Sequence, residues 1–469
     1  MHFHFEKLGL LDRVDLELSD LTLICGENNT GKTYATYAVY GFFRSWRGIL
    51  KSLVEPEIER LLKDSNEYRI DLMQMFDGKV NDYLKRMGKA YVRGLPRAFA
   101  TDSSVFEHTV CVPSSNLVVD LPSKTYQHSV QSGPSGKVLA TLNKSAGSAM
   151  LEVLVADPEV LQRPFGGLTE FIAEAIADIV FADHLPDVHI ASAERTGVAI
   201  FRKELDMART RMIKALHQVD SKEFKRNPFQ TVIKAAMDAD YAWPVEDNVE
   251  FIRQLEDIDK RTGKLAEDNP ELLQAFDAII GGSYKVVKNQ LFFQAKGAAK
   301  QRFTMNEASS SIRALLDVGF YLRCKAEPGD LFILDEPELN LHPKNQRAFA
   351  RLVVRMVNAG IKVFITTHSD YLVKEINTLI MLHQRTPHTL AMQNQHGYED
   401  AEVIDPARVR LYMTALEGVK GLGAARSSKI RTLKSATIYP DRGIEVETFD
   451  DTIETMNDIQ SEILYGGEL

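Results

Sequence analysis

Hydrophobic and polar positions alternate near the start of the chain. In VDLEL (Val14 to Leu18) every second side chain is apolar, the period of a half-buried strand. The run LTLIC (Leu21 to Cys25) is apolar without a break, as expected of a strand covered on both faces. After a polar, glycine-bearing loop the period changes, and Ala35, Ala38, Val39, Phe42 and Phe43 recur at helical spacing. Residues 3–24 are therefore expected to form two or three strands, with a helix beginning after Thr33. Residues 50–100 read as charged amphipathic helices, and 105–155 as short strand-like runs (VCV, NLVVDL, LEVLVA) broken by Pro, Ser and Gly. LTEFIAEAIADIVF returns to the helical period, and DVHIASAERTG reads as a strand running into a loop. Residues 198–280 are expected to be mostly helical. IIGG at 279–282 predicts a turn, and YKVVKNQLFFQ a hairpin.

The most regular pattern spans residues 303–382. Leu331 to Leu334 form one buried strand and KVFITTHSD contains another. Between them Phe349, Leu352, Val353, Met356 and Val357 make one helical stripe that stops at Gly360. Strand, helix and strand in this order predict a parallel α/β core, which carries its chemistry at the C-terminal ends of its strands. Beyond residue 395 the chain shows weak strands, a basic loop with Gly and Ser near 418–434, and an acidic amphipathic tail. From Gly443 onward there are eight acids and no Lys or Arg.

The loop GENNTGKT fits the pattern G-x-x-x-x-G-K-[ST]. Gly26 and Gly31 let the backbone curl and aim its N–H groups at an anion, and the following helix adds its positive end. Lys32 is expected to reach the β- and γ-phosphates, and the Thr33 hydroxyl to hold Mg²⁺. At the end of the strand DLFILDEP, Asp335 can hold Mg²⁺ through water, and Glu336 can orient the attacking water. His368, at the end of the next strand, can bond the γ-phosphate or that water. Ser309, Ser310 and Ser311 directly precede a helix and read as an anion site or as an ordinary N-cap. Arg195, in SAERTG, is read equally as a contact to phosphate, nucleic acid or a neighbouring subunit, and as a plain salt bridge.

In sequence order the chain presents GENNTGKT, ASSS, LDEPELNLHP and TTHS. This series resembles the ABC-type ATPase heads, specifically the SMC-like group that includes the OLD family and ATPase subunits of bacterial anti-phage systems. ASSS occupies the place of the ABC signature, LNLHP that of the D-loop and His368 that of the switch histidine. The signature is not the LSGG type of transporters, and no membrane partner is implied. The resemblance implies an α/β P-loop NTPase fold with an ABC-type head, a mixed sheet flanked by helices, plus a helical insertion. The implied divisions are an N-terminal lobe over 1–200, a mostly helical insertion over 201–300, a C-terminal lobe over 301–390 and an extension over 391–469. It further implies ATP with Mg²⁺ as cofactors, with Asn28 and Asn29 among the nucleotide-binding residues. ATP would lie between two protomers, and Ser309, Ser310 and Ser311 would reach the γ-phosphate in trans. The glutamine of the Q-loop is not located.

Composition narrows the load that such a head would drive. A chain of 469 residues with 44% hydrophobic residues can bury a large core. A net charge of −9 excludes a basic nucleic-acid coat, although the stretch from Arg202 to Arg226 carries eight Lys or Arg against four acids. With the basic residues of 420–434 it favours some DNA contact, against the plain reading of a solvated surface. Three widely spaced cysteines and the absence of a long apolar run or signal peptide read as a cytoplasmic chain in a reducing compartment. The interval from Thr33 to Asp335 contains no long heptad run, which excludes a long coiled-coil arm. Downstream of Ser369 there is no D-x-D pair for a Toprim nuclease, and DIDK at 257–260 reads as a solvated helix face. The expectation is a homo-oligomeric ATPase whose effector, a nuclease or toxin, is a separate chain, as in Septu- and PARIS-type systems. The alternative is a DNA-binding ATPase of repair or chromosome maintenance.

Overall fold

The computed structural model of the chain describes residues 1–62, 66–116, 118–132, 136–157, 167–202, 241–298, 301–419, 428–445, 455 and 458–461. Its first strands are β1 (His2–Leu8), β2 (Leu11–Glu17) and β3 (Leu21–Cys25). They are followed by β4 (Glu67–Asp71), β5 (Val110–Ser114), β6 (Tyr126–Ser132), β7 (Lys137–Lys144), β8 (Met150–Val155) and β9 (Val188–Ala191). A meander of β10 (Gly282–Val287), β11 (Gln290–Ala295) and β12 (Arg302–Thr304) comes next. The last strands used below are β13 (Leu331–Asp335), β14 (Lys362–Thr367), β15 (Val409–Val419) and β16 (Ser428–Ser435).

Nine of these strands form one mixed sheet in the order β5-β1-β2-β16-β15-β3-β14-β13-β9. Strands β15, β3, β14, β13 and β9 run parallel to one another. The apolar runs follow from burial on both faces. Leu331, Ile333 and Phe364 belong to the core on one side, and Phe332, Leu334, Val363 and Ile365 to the core on the other. On the first side lie α1 (Lys32–Leu61) and α2 (Leu168–Ile176), which pack together. On the second lie α3 (Arg195–Phe201), α4 (Ser310–Ala314), α5 (Pro343–Asn358) and α6 (Asp370–Met381). The predicted stripe of α5 is inside: Phe349, Leu352, Val353, Met356 and Val357 are all at most 1% exposed. At roughly 2 kcal/mol for each fully buried apolar side chain, this one stripe is enough to orient the helix. Gly360, at φ 99°, supplies the left-handed turn after it.

The predicted hairpin is β10–β11. Its two turn residues, Lys288 and Asn289, both have positive φ, as a type I′ turn requires. Three readings differ from the structure. Residues 50–100 are not helical throughout. The helix α1 runs on to Leu61, and β4 then pairs with β8, burying Tyr68 and Ile70. Two inward side chains in five residues are too short a period to stand out among charges. NLVVDL forms no strand over its described residues, and Val118 is 93% exposed. The basic loop near 418–434 is partly strand, because β15 extends to Val419 and β16 begins at Ser428. That hairpin sits between β2 and β3, inside the main sheet. The basic stretch beyond Arg202, residues 420–427 and most of the acidic tail lie outside the described residues.

Candidate nucleotide site

Three strand ends meet at one level. In the parallel register Cys25 of β3 is opposite Thr367 of β14, and Thr366 of β14 is opposite Asp335 of β13. The residues that follow these ends are the glycine loop from Gly26, His368 and Glu336. Sheet pairing therefore brings together three motifs that are far apart in sequence.

The loop needs positive φ at Gly26 (149°), Asn29 (62°) and Gly31 (104°). Gly26 also has no room for a side chain, since a Cβ there would fall 1.9 Å from Thr414 Oγ1 on β15. Asn28, Asn29 and Thr33 are exposed, whereas Lys32 is 5% exposed. The Lys32 ammonium donates to the carbonyls of Gly26 and Glu27, each at 2.8 Å. Thr30 Oγ1 donates to the Glu27 carbonyl at 2.7 Å and tightens the same curl.

Asp335 is buried, and its carboxylate accepts from the Thr366 hydroxyl. Burial pushes its carboxyl up to about 6; the Thr366 bond opposes this, and Glu336 and Glu194 add to it. A buried oxygen acid with so little donor support fits a hard divalent cation, which takes oxygen ligands. The Thr33 hydroxyl, on the first turn of α1, offers a second oxygen of the same hard kind. Glu336 is held at φ 49°, a left-handed conformation that is costly for a side-chain residue. Its N–H donates to the Thr366 carbonyl at 3.1 Å, and its carboxylate lies 3.6 Å from His368 Nδ1. The His368 side chain is 41% exposed and so open to a ligand.

Glu338 was not singled out by sequence. It is 4% exposed, and its Oε1 accepts from Thr367 Oγ1 at 2.7 Å and from the His368 N–H at 2.8 Å. The same oxygen lies 3.4 Å from His368 Nδ1, while Oε2, also buried, has no hydrogen-bond partner. Glu338 thus fixes the turn that presents His368. A charged residue two places after Glu336, in an otherwise apolar context, was the available signal. Glu338→Ala is expected to lower the ATP turnover rate by about tenfold or more, and Glu338→Gln, which keeps an acceptor oxygen, by no more than about threefold. Steady-state hydrolysis by the two variants checks this, and equal losses would mean that the hydrogen bonds are not what matters.

Ser309 is the N-cap of α4, accepting from the Ile312 N–H at 3.4 Å, and its hydroxyl lies 2.9 Å from that of Ser311. Ser309 and Ser310 are exposed and Ser311 half-buried. Among the described residues no hydrogen bond joins this turn to residues 26–33 of the same chain. Arg195 is 1% exposed and forms no salt bridge among the described residues. Its guanidinium donates to four backbone carbonyls: Ala314 (2.7 Å), Ser192 (2.9 Å), Asp335 (2.7 Å) and Glu336 (2.8 Å). In the D-x-D at 257–260, Asp257 is exposed and paired to Lys260 at 2.5 Å, whereas Asp259 is half-buried and paired to Arg323. No group of three or more potential metal-ligating side chains is found among the described residues there or elsewhere.

Residues 192–374 match the family described as "AAA domain, putative AbiEii toxin, Type IV TA system". The match begins just after β9 and takes in Arg195, the serine turn, Asp335, Glu336 and His368. The glycine loop precedes it. The chain has an α/β fold, a mixed sheet flanked by helices with the glycine loop between β3 and α1. Among curated proteins no relative matches. Solved structures found to be similar include an SMC head bound to the C-winged helix domain of ScpA, at 10% identity and a TM-score of 0.34, covering 96% of this chain and 98% of that one. An SMC head with an extended coiled coil, bound to the C-terminal domain of ScpA from Pyrococcus furiosus, is 13% identical with a TM-score of 0.31, covering 98% of each chain. The SMC head domain from Thermotoga maritima is 10% identical with a TM-score of 0.29, covering 92% of this chain and 97% of that one. No described helix of this P-loop chain is long and apolar enough to cross a membrane.

Proposed function

We propose that this chain is an ATPase that dimerises around ATP and governs a separate effector, a nuclease or toxin, in anti-phage defence. The observation that carries the ATPase part is the register that sets the glycine loop, Glu336 and His368 on adjacent strand ends. Lys32 exchanges the carbonyls of Gly26 and Glu27 for phosphate oxygens, and the N–H groups of the loop surround the same anion. Thr33 and Asp335 would hold Mg²⁺, which would supply positive charge against the phosphates. Glu336 accepts a hydrogen bond from the attacking water and orients it, and His368 contacts the γ-phosphate.

The serine turn, exposed at Ser309 and Ser310 and with no hydrogen bond to its own glycine loop among the described residues, supports the shared site: Ser309, Ser310 and Ser311 close on the nucleotide of a partner copy. Order around the γ-phosphate then holds the dimer, and hydrolysis releases it. The matched family's description names a toxin of a TA system, which supports pairing with a second gene product. Co-purification from the native operon tests the reading. Wild-type chain is expected to bring down a second protein in stoichiometric amount, and Lys32→Ala to change that amount at least about threefold, since binding linked to ATP shifts with it. A chain that purifies alone and binds DNA in a salt-dependent way would instead support the repair or chromosome-maintenance role.

A further inference from the structure

Arg195 connects two parts of the molecule that, in a shared-site dimer, serve different ATP molecules. Its Nε donates to Ala314, the last residue of the helix α4 that begins at the serine turn. Its two Nη atoms donate to the carbonyls of Asp335 and Glu336. The Glu336 peptide is the one held at φ 49°. A guanidinium is planar and rigid, and this one is fully buried among carbonyl oxygens. A shift of α4 must therefore break the Nε bond or move the Asp335–Glu336 peptides.

Side-chain bonds tie the turn to α4. Arg313 Nη1 donates to the carbonyls of Met305 and Ala308, just before the serines, and Tyr284 donates to the carbonyl of Ile312. Behind Arg195 the connection is backed by buried polar contacts. Asn248 donates to Asp317 at 3.0 Å, and Ser192 Oγ to Asn248 at 3.3 Å.

We infer that Arg195 is a positioning residue that makes the two ATP sites of the dimer interdependent. When the serine turn of one protomer closes on its partner's nucleotide, Arg195 of that same protomer sets its own Glu336 for hydrolysis. This rests on the proposed reading that Ser309–Ser311 act in trans.

The test mixes full-length wild-type chain with a variant in which Ser309, Ser310 and Ser311 are alanine, at equal amounts, and measures ATPase rate. A mixed dimer then has one closed and one open site. Interdependent sites leave about one quarter of the wild-type rate, and independent sites about one half. The same mixture made in an Arg195→Lys background is expected to return to about one half of its own unmixed rate, with the Arg195→Lys turnover itself down about tenfold and KM for ATP within about threefold. A wild-type result near one half overturns the inference, as does Arg195→Lys with the wild-type mixing curve. If Arg195→Lys does not fold, Arg195→Gln takes its place in the second mixture, and a wild-type mixture near one half still overturns the inference. Gel filtration with ATP separates the two levels of the argument. A chain that stays monomeric with ATP overturns the trans reading together with this inference, whereas a dimer with independent sites overturns only the inference.

Discussion

Glu336→Gln is expected to abolish multiple turnover, lowering the rate by about 100-fold or more, while ATP stays bound and an ATP-dependent dimer accumulates. A well-placed general base contributes a factor of about 10²–10⁴, and Gln cannot take a proton from water. The substitution should leave the fold intact. The backbone at this position is already in the left-handed region. It is kept there by groups that do not depend on the carboxylate: the Thr366 carbonyl on its N–H and Arg195 on its carbonyl. The side chain is about one quarter exposed and lies beside His368, so an isosteric amide fits without repacking. Hydrolysis assays and size-exclusion chromatography with Mg²⁺ and ATP measure both effects. Turnover at the wild-type rate would show that another group activates the water.

Asp335→Asn is expected to stabilise the nucleotide-free protein at neutral pH while removing turnover. The Asp335 carboxyl is raised by burial from 3.8 to about 6. Well below pH 3.8 the group is protonated whether the chain is folded or not, and its ionisation does not affect stability. As pH rises through 4 to 6 the unfolded chain releases this proton first, so the folded state loses stability. At about 1.4 kcal/mol per pKa unit, the loss reaches about 3 kcal/mol by pH 7. Asn cannot ionise and still accepts from Thr366 through its carbonyl oxygen. The melting temperature of the variant should therefore exceed that of the wild type at pH 7.5, with the gap closing toward pH 4.5. The same charge is what a divalent cation requires, so added Mg²⁺ with ATP should stabilise the wild type more than the variant. Turnover should fall by about 100-fold or more, as expected when charge neutralisation at the phosphates is lost. A variant less stable than wild type at pH 7.5 would contradict the burial argument.

Several site residues were legible because their chemistry is local. The loop from Gly26 to Thr33 is one continuous turn between a strand and a helix, and the glycines sit where φ is positive. Asp335, Glu336 and His368 were legible for a related reason, since each ends or directly follows a strand whose apolar residues mark it as buried. Arg195 and Glu338 were not legible in the same way. Nothing in SAERTG says that the guanidinium turns inward to four carbonyls, because those carbonyls come from residues up to 141 positions away. Glu338 read as part of a loop, and only the fold shows that its carboxylate is buried against Thr367 and His368. The position of the C-terminal hairpin was hidden as well. Its strands alternate modestly, and no short-range pattern says that β15 will pair with β3.

The division follows from the range of the forces. Periodicity, glycine at positive φ and apolar runs act over a few residues, so the sequence by itself determined which segments are strands and helices around the site and which residues end them. Pairing order acts over the whole chain. It required burial of both sheet faces to set β3, β14 and β13 side by side, to place Thr414 of β15 against Gly26, and to trap Arg195 between α4 and the Glu336 turn. Local chemistry thus supplied the parts of the candidate site. Only tertiary packing, through burial and hydrogen bonds between distant segments, decided how those parts are joined.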